Sequence, residues 1–284
     1  LTKPAHKKKL LGHPVGLYIL FFTEMWERFS YYGMRGILVL YLTAETIGEN
    51  PGLGWLNAEA LSLYGWHTML VYVASIPGGI IADKIIGQKR AVMIGGFLLV
   101  AGHGILSVEE MWAFYPGLGL IVSGVGMLKP NISTLVGGLY RPGDEKRDKG
   151  FSIFYIGINV GAALAALVVA YVADIWGWHA GFGLAAIGMV LGQLVYLGGQ
   201  PYLKGVGDKP VNVSREAGNV SIKDIFSQQF SKRTPLMATL ILGVLSSLAA
   251  WLFIEDQQLA YILFFIFLSV VVGMMITIYG DLET

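Results

Sequence analysis

Residues 15–42 form a long apolar segment that is interrupted near its middle by two acidic residues and two arginines. The segment is long enough to cross a bilayer as a helix, since a span requires about 20 predominantly apolar residues. Each charge at the centre of a membrane costs roughly 2.5–3.5 kcal/mol on insertion scales, so the four must be paired internally or used. We therefore take Glu24 to Arg35 as the first candidate functional segment.

The polar side chains of this segment fall on one face of a helix. At 100° per residue, a stripe about 60° wide holds four of these side chains, Glu24, Arg28, Tyr31 and Arg35. Two more, Glu27 and Tyr32, flank this stripe. The rest of the helix surface is apolar, so the sequence predicts a single ionic and hydroxylated face.

The rest of the chain consists of similar apolar blocks separated by short polar stretches. Hydrophobic residues make up 55% of the 284 residues and charged residues 14%, with a mean hydropathy of +0.61. A soluble domain is far less apolar. We predict an all-α polytopic membrane protein with eight spanning segments, at about 15–43, 57–82, 88–107, 111–140, 150–173, 179–199, 235–254 and 259–279.

The distribution of lysine and arginine supports this helix count. Of the 20 in the chain, all but Arg28, Arg35 and Lys129 fall in stretches that the count places on one side of the membrane. The loops of the other side carry acidic residues instead. This distribution follows the positive-inside rule, so we expect the N-terminus to be cytoplasmic.

The segments predict three regions. Residues 1–199 form a six-helix bundle, residues 200–234 are a polar cytoplasmic linker with Pro, Gly, Ser and Asn, and residues 235–284 hold two accessory helices without charges in their spans. Within the bundle, the intramembrane charges fall on the first helix of each set of three, because Lys129 lies in the fourth segment. That placement predicts a 3+3 inverted repeat with its site near the midplane.

Several classes of function are disfavoured by what the sequence lacks. It has no cysteine, so thiolate catalysis and Cys-ligated metals are excluded, and it contains no HExxH, GxSxG or Walker-type motif. We therefore expect no enzyme and no metal. Topology and anionic lipid headgroups explain the basic loops, so nucleic acid is not an expected partner. A channel stays an alternative, although charges of both signs on one helix suit occluded binding better than a selectivity ring.

Three motifs resemble those of one transporter family. The run Glu24–Gly33 is similar to the helix-1 signature of the proton-coupled oligopeptide transporters, a branch of the major facilitator superfamily, and Phe154–Gly161 is similar to their helix-5 signature. Gly79–Arg90 looks like the gating motif of the superfamily with one residue inserted. The motifs stand in the family's order, and two helices after the sixth are typical of its bacterial members. The resemblance covers the whole chain but only the first half of the family's fold.

The resemblance implies a proton-driven symporter of di- and tripeptides that works by alternating access in a bacterial inner membrane. Protons are then the coupling ion, and no other cofactor is expected. A second six-helix bundle is expected beyond Thr284, with the chain as one part of a longer transporter. A transporter of nitrate or another small anion is the alternative within the same family.

The resemblance also implies roles for individual residues. Those implied in proton coupling are Glu24, Glu27, Arg28 and Lys129. Those implied in substrate binding are Arg28 and Arg35 for the peptide carboxylate, Tyr31, Tyr32 and Tyr72 as cavity lining, and Asn159 for the peptide backbone. Those of the gating motif are Asp83, Lys89 and Arg90. The family pairs a helix-4 lysine with an acid of the second bundle, which implies such a partner for Lys129.

Simpler structural explanations stay open for these residues. A buried Glu24–Arg28 pair can act only as a staple between helices, and tyrosines commonly pack on buried faces. Asn159 can bond a neighbouring helix, and the gating motif can be a solvated basic turn. We interpret His67 and His103 as packing or interfacial residues.

Overall fold

The computed structural model describes residues 8–208. They begin with a two-stranded antiparallel hairpin, β1 (Lys9–Leu10) and β2 (His13–Pro14). Six long helices follow, and they are α1 (Val15–Thr43), α2 (Asn57–Ile81), α3 (Gln88–Leu106), α4 (Met111–Gly138), α5 (Lys146–Trp176) and α6 (Trp178–Gly199). A turn of π-helix (Ala82–Ile86) extends α2, and a 3-10 turn (Gln200–Leu203) extends α6.

The six helices lie where the sequence predicts the first six segments, with ends that differ by a few residues. The largest difference is at α5, which begins at Lys146 and ends at Trp176 rather than spanning 150–173. Hydropathy finds only the apolar part of a helix, whereas backbone hydrogen bonding continues into the polar ends. The predicted segments 235–254 and 259–279 lie outside the described residues.

Helices α2 to α6 are long and apolar enough to cross a membrane, counting the short turns that extend α2 and α6. The 29 residues of α1 extend about 43 Å as a helix, which is also long enough. What sets α1 apart is composition, because its four charges fall within one stretch of the span. Of the six helices described, the one that carries the candidate site therefore has the most charges in the interior of its span.

The packing of the six helices follows a two-fold pattern in which helix n of the first three corresponds to helix n+3. The four most extensive contacts form two such pairs, which are α4 with α3 and its counterpart α1 with α6, and α1 with α5 and its counterpart α4 with α2. The contact of α3 with α6 is its own counterpart. This arrangement matches the predicted 3+3 inverted repeat, and it places α1 and α4 centrally, each between two helices of the bundle.

Two glycines allow the closest approaches in this pattern. A Cβ at Gly161 of α5 would overlap the carbonyl oxygen of Met25 in α1, and a Cβ at Gly78 of α2 would overlap the carbonyl oxygen of Gly126 in α4. Small residues let helix backbones approach closely, which is how membrane helices commonly associate. Because α1–α5 and α4–α2 are counterparts, both repeats bring the same pair of helices together at a glycine.

The two ends of the bundle differ in charge. One end, here the basic end, is formed by residues 8–14, 82–90, 139–149 and 200–208, which contact one another. There, His13 Nδ1 lies 2.8 Å from Tyr140 Oη. The opposite end, here the acidic end, is formed by residues 44–56 and 107–110 and by Gly177. There, Asn50 donates to the carbonyl of Ala173 at 2.8 Å.

Candidate functional site

A buried ionic cluster occupies the middle of α1. Arg28 Nε lies 2.9 Å from Glu24 Oε1 and 2.5 Å from Glu27 Oε2. Glu24 is 3% exposed, Glu27 0% and Arg28 2%. Gly161 of α5 and Gly192 of α6 bring their helices against this part of α1, which removes the cluster from solvent. The structure thus brings together three of the four residues implied in proton coupling.

The two acids of the cluster are not equally well satisfied. Glu27 contacts Arg28 at ion-pair distance, yet neither carboxylate oxygen of Glu27 receives a hydrogen bond within the described part of the chain. Arg28 Nη2 and Glu24 Oε2 are likewise buried and without a hydrogen-bond partner there. Buried polar atoms are almost always hydrogen-bonded in stable folds, so this cluster can accept further polar contacts.

Two tyrosines frame the guanidinium of Arg28. Its Cζ lies 5.8 Å from the ring centroids of both Tyr31 and Tyr32. Tyr31 is 3% exposed, and its ring stacks on His67 of α2, with centroids 6.4 Å apart and planes at 28°. Tyr32 is only partly buried. Of these two tyrosines, Tyr32 is the more accessible, whereas Tyr31 is covered by a histidine.

Arg35 has a different environment from Arg28. Its Nε donates a hydrogen bond to the hydroxyl of Tyr64 in α2, and its Cζ lies 4.8 Å from the centroid of the same ring. No carboxylate of residues 8–208 forms an ion pair with it. Both Arg35 and Tyr64 are partly exposed, so a bound anion can reach this guanidinium and pair with it.

Lys129 of α4 is the third cation within the bundle. Its Nζ lies 4.7 Å from the centroid of the Tyr72 ring, a cation–π contact with α2. It is partly buried, and no carboxylate lies within ion-pair distance of it in the described residues. Tyr72 is 60% exposed, so its ring is accessible on the side away from the lysine.

Asn159 stands apart from the other candidates. Its amide donates to the carbonyl of Tyr155 one turn earlier in α5, at 3.0 Å, and the side chain is exposed. Tyr155 is 57% exposed on the same helix. The structure therefore brings the charged and aromatic residues of α1, α2 and α4 together and leaves Asn159 free for a contact outside its own helix.

The residues of the gating motif lie at the basic end. Asp83 accepts a hydrogen bond from Gln88 Nε2 at 2.7 Å across the turn between α2 and α3. Lys89 Nζ lies 2.8 Å from Asp208 Oδ1, and Arg90 is exposed. Asp208 is a contact that reasoning from the sequence missed, because it lies in the predicted linker and no motif includes it.

The histidines interpreted as packing residues are both buried. His67 is 3% exposed and His103 is 0% exposed. The ring of His67 stacks on Tyr31, a contact that spacing along the chain could not reveal. Neither ring nitrogen of His103 has a hydrogen-bond partner in the described residues, where no group of three metal-ligating side chains is found either.

Helices of membrane-spanning length around a buried ionic cluster are typical of secondary transporters. Residues 89–253 match the model described as PTR2, POT family, and the chain therefore belongs to the POT family. It is an integral membrane protein whose helices α2 to α6 each have spanning length and composition. The predicted family and fold class are thereby confirmed.

Three similar proteins illustrate the likeness. The uncharacterized transporter YclF of Bacillus subtilis (strain 168) is 47% identical over 197 residues, covering 69% of this chain and 40% of that protein. The di-/tripeptide transporter of Lactococcus lactis subsp. cremoris is 45% identical over 208 residues, covering 72% of this chain and 42% of that protein. A crystal structure of a peptide transporter POT in complex with sulfate is 39% identical with a TM-score of 0.70, covering 87% of this chain and 53% of that chain. The chain spans less than half the length of the first two proteins and about half the length of the third.

Proposed function

We propose that this chain contributes the first six-helix bundle of a proton-driven symporter of di- and tripeptides that works by alternating access. The observation that carries the proposal is the buried cluster of Glu24, Glu27 and Arg28, whose acids share one guanidinium. The relatives named as a di-/tripeptide transporter and as a peptide transporter support the substrate class. Secondary transporters place such intramembrane charges on substrate and ion pathways.

On the proton side, the cluster supplies a switch. A proton on Glu27 removes the charge that holds Arg28 between two acids, and Arg28 then pairs with Glu24 alone. The guanidinium then has one acid fewer to pair with, and its Nη2 has no hydrogen-bond partner within the described region. Binding a proton therefore prepares Arg28 to meet another anion, which couples the proton to substrate binding.

On the substrate side, Arg35 and its aromatic neighbours supply the recognition. The carboxylate of a peptide can accept two parallel hydrogen bonds from a guanidinium, and Arg35 has no acid that competes for this role among residues 8–208. Tyr32 and Tyr72 offer ring faces for apolar side chains and hydroxyls for the peptide backbone. Asn159 of α5 adds an exposed amide, which also donates to the carbonyl of Tyr155.

The remaining partners follow from the same proposal. The coupling ion is the proton, no other cofactor takes part, and transport rather than catalysis is the activity. The lipid bilayer surrounds the bundle, and a second six-helix bundle completes the cavity. We place the protein in a bacterial inner membrane with its N-terminus in the cytoplasm, because the basic end then faces the cytoplasm in agreement with the positive-inside rule.

The orientation can be tested by labelling single cysteines in the cysteine-free chain. Thr46→Cys and Val108→Cys, both exposed at the acidic end, are expected to react with an impermeant thiol reagent added to intact cells. Glu145→Cys and Lys204→Cys, exposed at the basic end, are expected to react only after the membrane is opened. Reaction of Glu145→Cys from outside would reverse the orientation.

The function can be tested with the full-length transporter reconstituted into liposomes. We expect accumulation of a labelled dipeptide only under an inward proton gradient, and inhibition by unlabelled di- and tripeptides but not by nitrate, because the site is built for a carboxylate attached to a peptide backbone. Uptake of labelled nitrate that dipeptides do not inhibit would favour the small-anion alternative. A steady current without any pH gradient would instead indicate a channel.

A further inference from the structure

The chain folds back across the basic end after α6. Leu203 and Val206 are buried, and they lie against Gly16 of α1 and Gly138 of α4 respectively. The carbonyl of Gly207 then accepts a hydrogen bond from the backbone N–H of Lys89 at 3.0 Å. We call residues 203–208 the strap, because they connect the end of α6 to the first turn of α3.

Asp208 fastens the strap through both of its carboxylate oxygens. Oδ1 lies 2.8 Å from Lys89 Nζ, and Oδ2 accepts the backbone N–H of Gly205 at 3.1 Å. Gly205 and Gly207 have φ of +77° and +64°, a region that other residues adopt only with strain. The reversal of the chain therefore depends on glycine at both positions, and the carboxylate links this reversal to α3.

Lys89 is held more firmly than its neighbours in the gating motif. Its ammonium contacts Asp208, its N–H donates to Gly207, and its carbonyl accepts the hydroxyl of Tyr196 at 2.9 Å. Asp83 and Arg90, by contrast, are both exposed, and neither forms an ion pair within residues 8–208. The motif is thus divided between one residue anchored in the bundle and two that face outward.

We propose that Asp208 is a positioning residue for the gating motif. By fixing Lys89, it keeps the turn between α2 and α3 in the place from which Asp83 and Arg90 reach a second bundle when the basic end closes. An exposed ion pair alone contributes little in water, and Asp208 is more than half exposed. Here the same carboxylate also orders the strap through Gly205, so its loss releases two contacts together. The link to gating rests on the transport function proposed above, whereas the positioning of the turn does not.

The positioning is tested with a spin label on Lys84→Cys, an exposed residue of the turn, in the full-length transporter in lipid vesicles, with any cysteine outside these 284 residues replaced by serine. Asp208→Asn is expected to make the label more mobile. Exchange of the pair, Lys89→Asp with Asp208→Lys, is expected to reverse part of this change, because it restores the ion pair but not the acceptor for the Gly205 N–H. Glu145→Gln is the matched control, because it removes an exposed acid at the same end that forms no ion pair and caps no helix within residues 8–208. An unchanged spectrum in Asp208→Asn would overturn the proposal.

The link to gating is tested by dipeptide uptake. Asp208→Asn is expected to lower the maximal rate several-fold with KM changed by no more than about twofold, because closure is impaired while the substrate contacts stay intact. The exchanged pair is expected to regain much of the rate. A label that becomes mobile without loss of rate would overturn the link to gating. If the wild-type transporter carries no dipeptide, the proposed function fails, while the spin-label comparison still decides the role of Asp208.

Discussion

Replacement of Glu27 by Gln is expected to abolish dipeptide uptake driven by an inward proton gradient while leaving part of the dipeptide counterflow. Glu27 is wholly buried, contacts Arg28 at 2.5 Å and receives no hydrogen bond in the described residues. A glutamine resembles the protonated acid in shape but releases no proton, so the coupled step is lost. Exchange of peptide for peptide requires no net proton movement and is therefore less affected.

Two comparisons make the Glu27 experiment decisive. Glu24→Gln is expected to act in the same direction, because Glu24 shares the guanidinium of Arg28 at 2.9 Å. Glu110→Gln, which removes an exposed acid at the acidic end, is expected to leave gradient-driven uptake intact. If gradient-driven accumulation persists in both Glu24→Gln and Glu27→Gln, the cluster is a structural staple rather than a proton switch.

Replacement of Lys129 by Ala is expected to abolish gradient-driven uptake as well. The bundle interior holds three cations, Arg28, Arg35 and Lys129, against the two acids of the cluster. An ammonium without an acid is costly inside a membrane, and within the described helices Lys129 lies over the Tyr72 ring and forms no ion pair. We expect its acidic partner to lie outside residues 8–208, on a helix of the second bundle, and to approach Lys129 in one access state.

The Lys129 experiment has a control and a rescue. Lys149→Ala, an exposed lysine of the basic end, is expected to keep normal uptake. Exchanging Lys129 with its acidic partner is expected to recover more activity than either single change, since the ion pair is restored with reversed polarity. A full-length structure in which no intramembrane acid can reach Lys129 would contradict the cross-bundle pair and leave this lysine as a direct ligand of the substrate.

Much of the fold follows from local sequence properties. A run of apolar residues between basic and acidic turns defines a spanning helix almost by itself, because the bilayer fixes its length and the backbone must satisfy its own hydrogen bonds. The Glu24–Arg28 pair is equally local, since residues four apart share one helix face. These features could therefore be predicted from the sequence alone.

What could not be predicted are contacts between residues far apart in the chain. The stacking of Tyr31 on His67 depends on how α1 crosses α2, and the bond of Asp208 to Lys89 depends on a glycine-based reversal after α6. The sequence alone placed residues 200–208 in the polar linker, yet two of the apolar side chains there are buried against the bundle. Polar composition does not distinguish a free linker from a segment that packs by a few residues.

The pairing of Glu24 with Arg28 also bears on how α1 enters the membrane during synthesis. Helices α5 and α6, which cover the cluster, leave the ribosome long after α1, because about 100 residues separate α1 from α5. At roughly 5–20 residues per second, α1 waits on the order of 5–20 s for them. During that time Arg28 already has a counter-ion, Glu24, one turn away on the same helix. A substitution that separates Glu24 from Arg28 is therefore expected to reduce the amount of protein inserted by the translocon before any transport is measured.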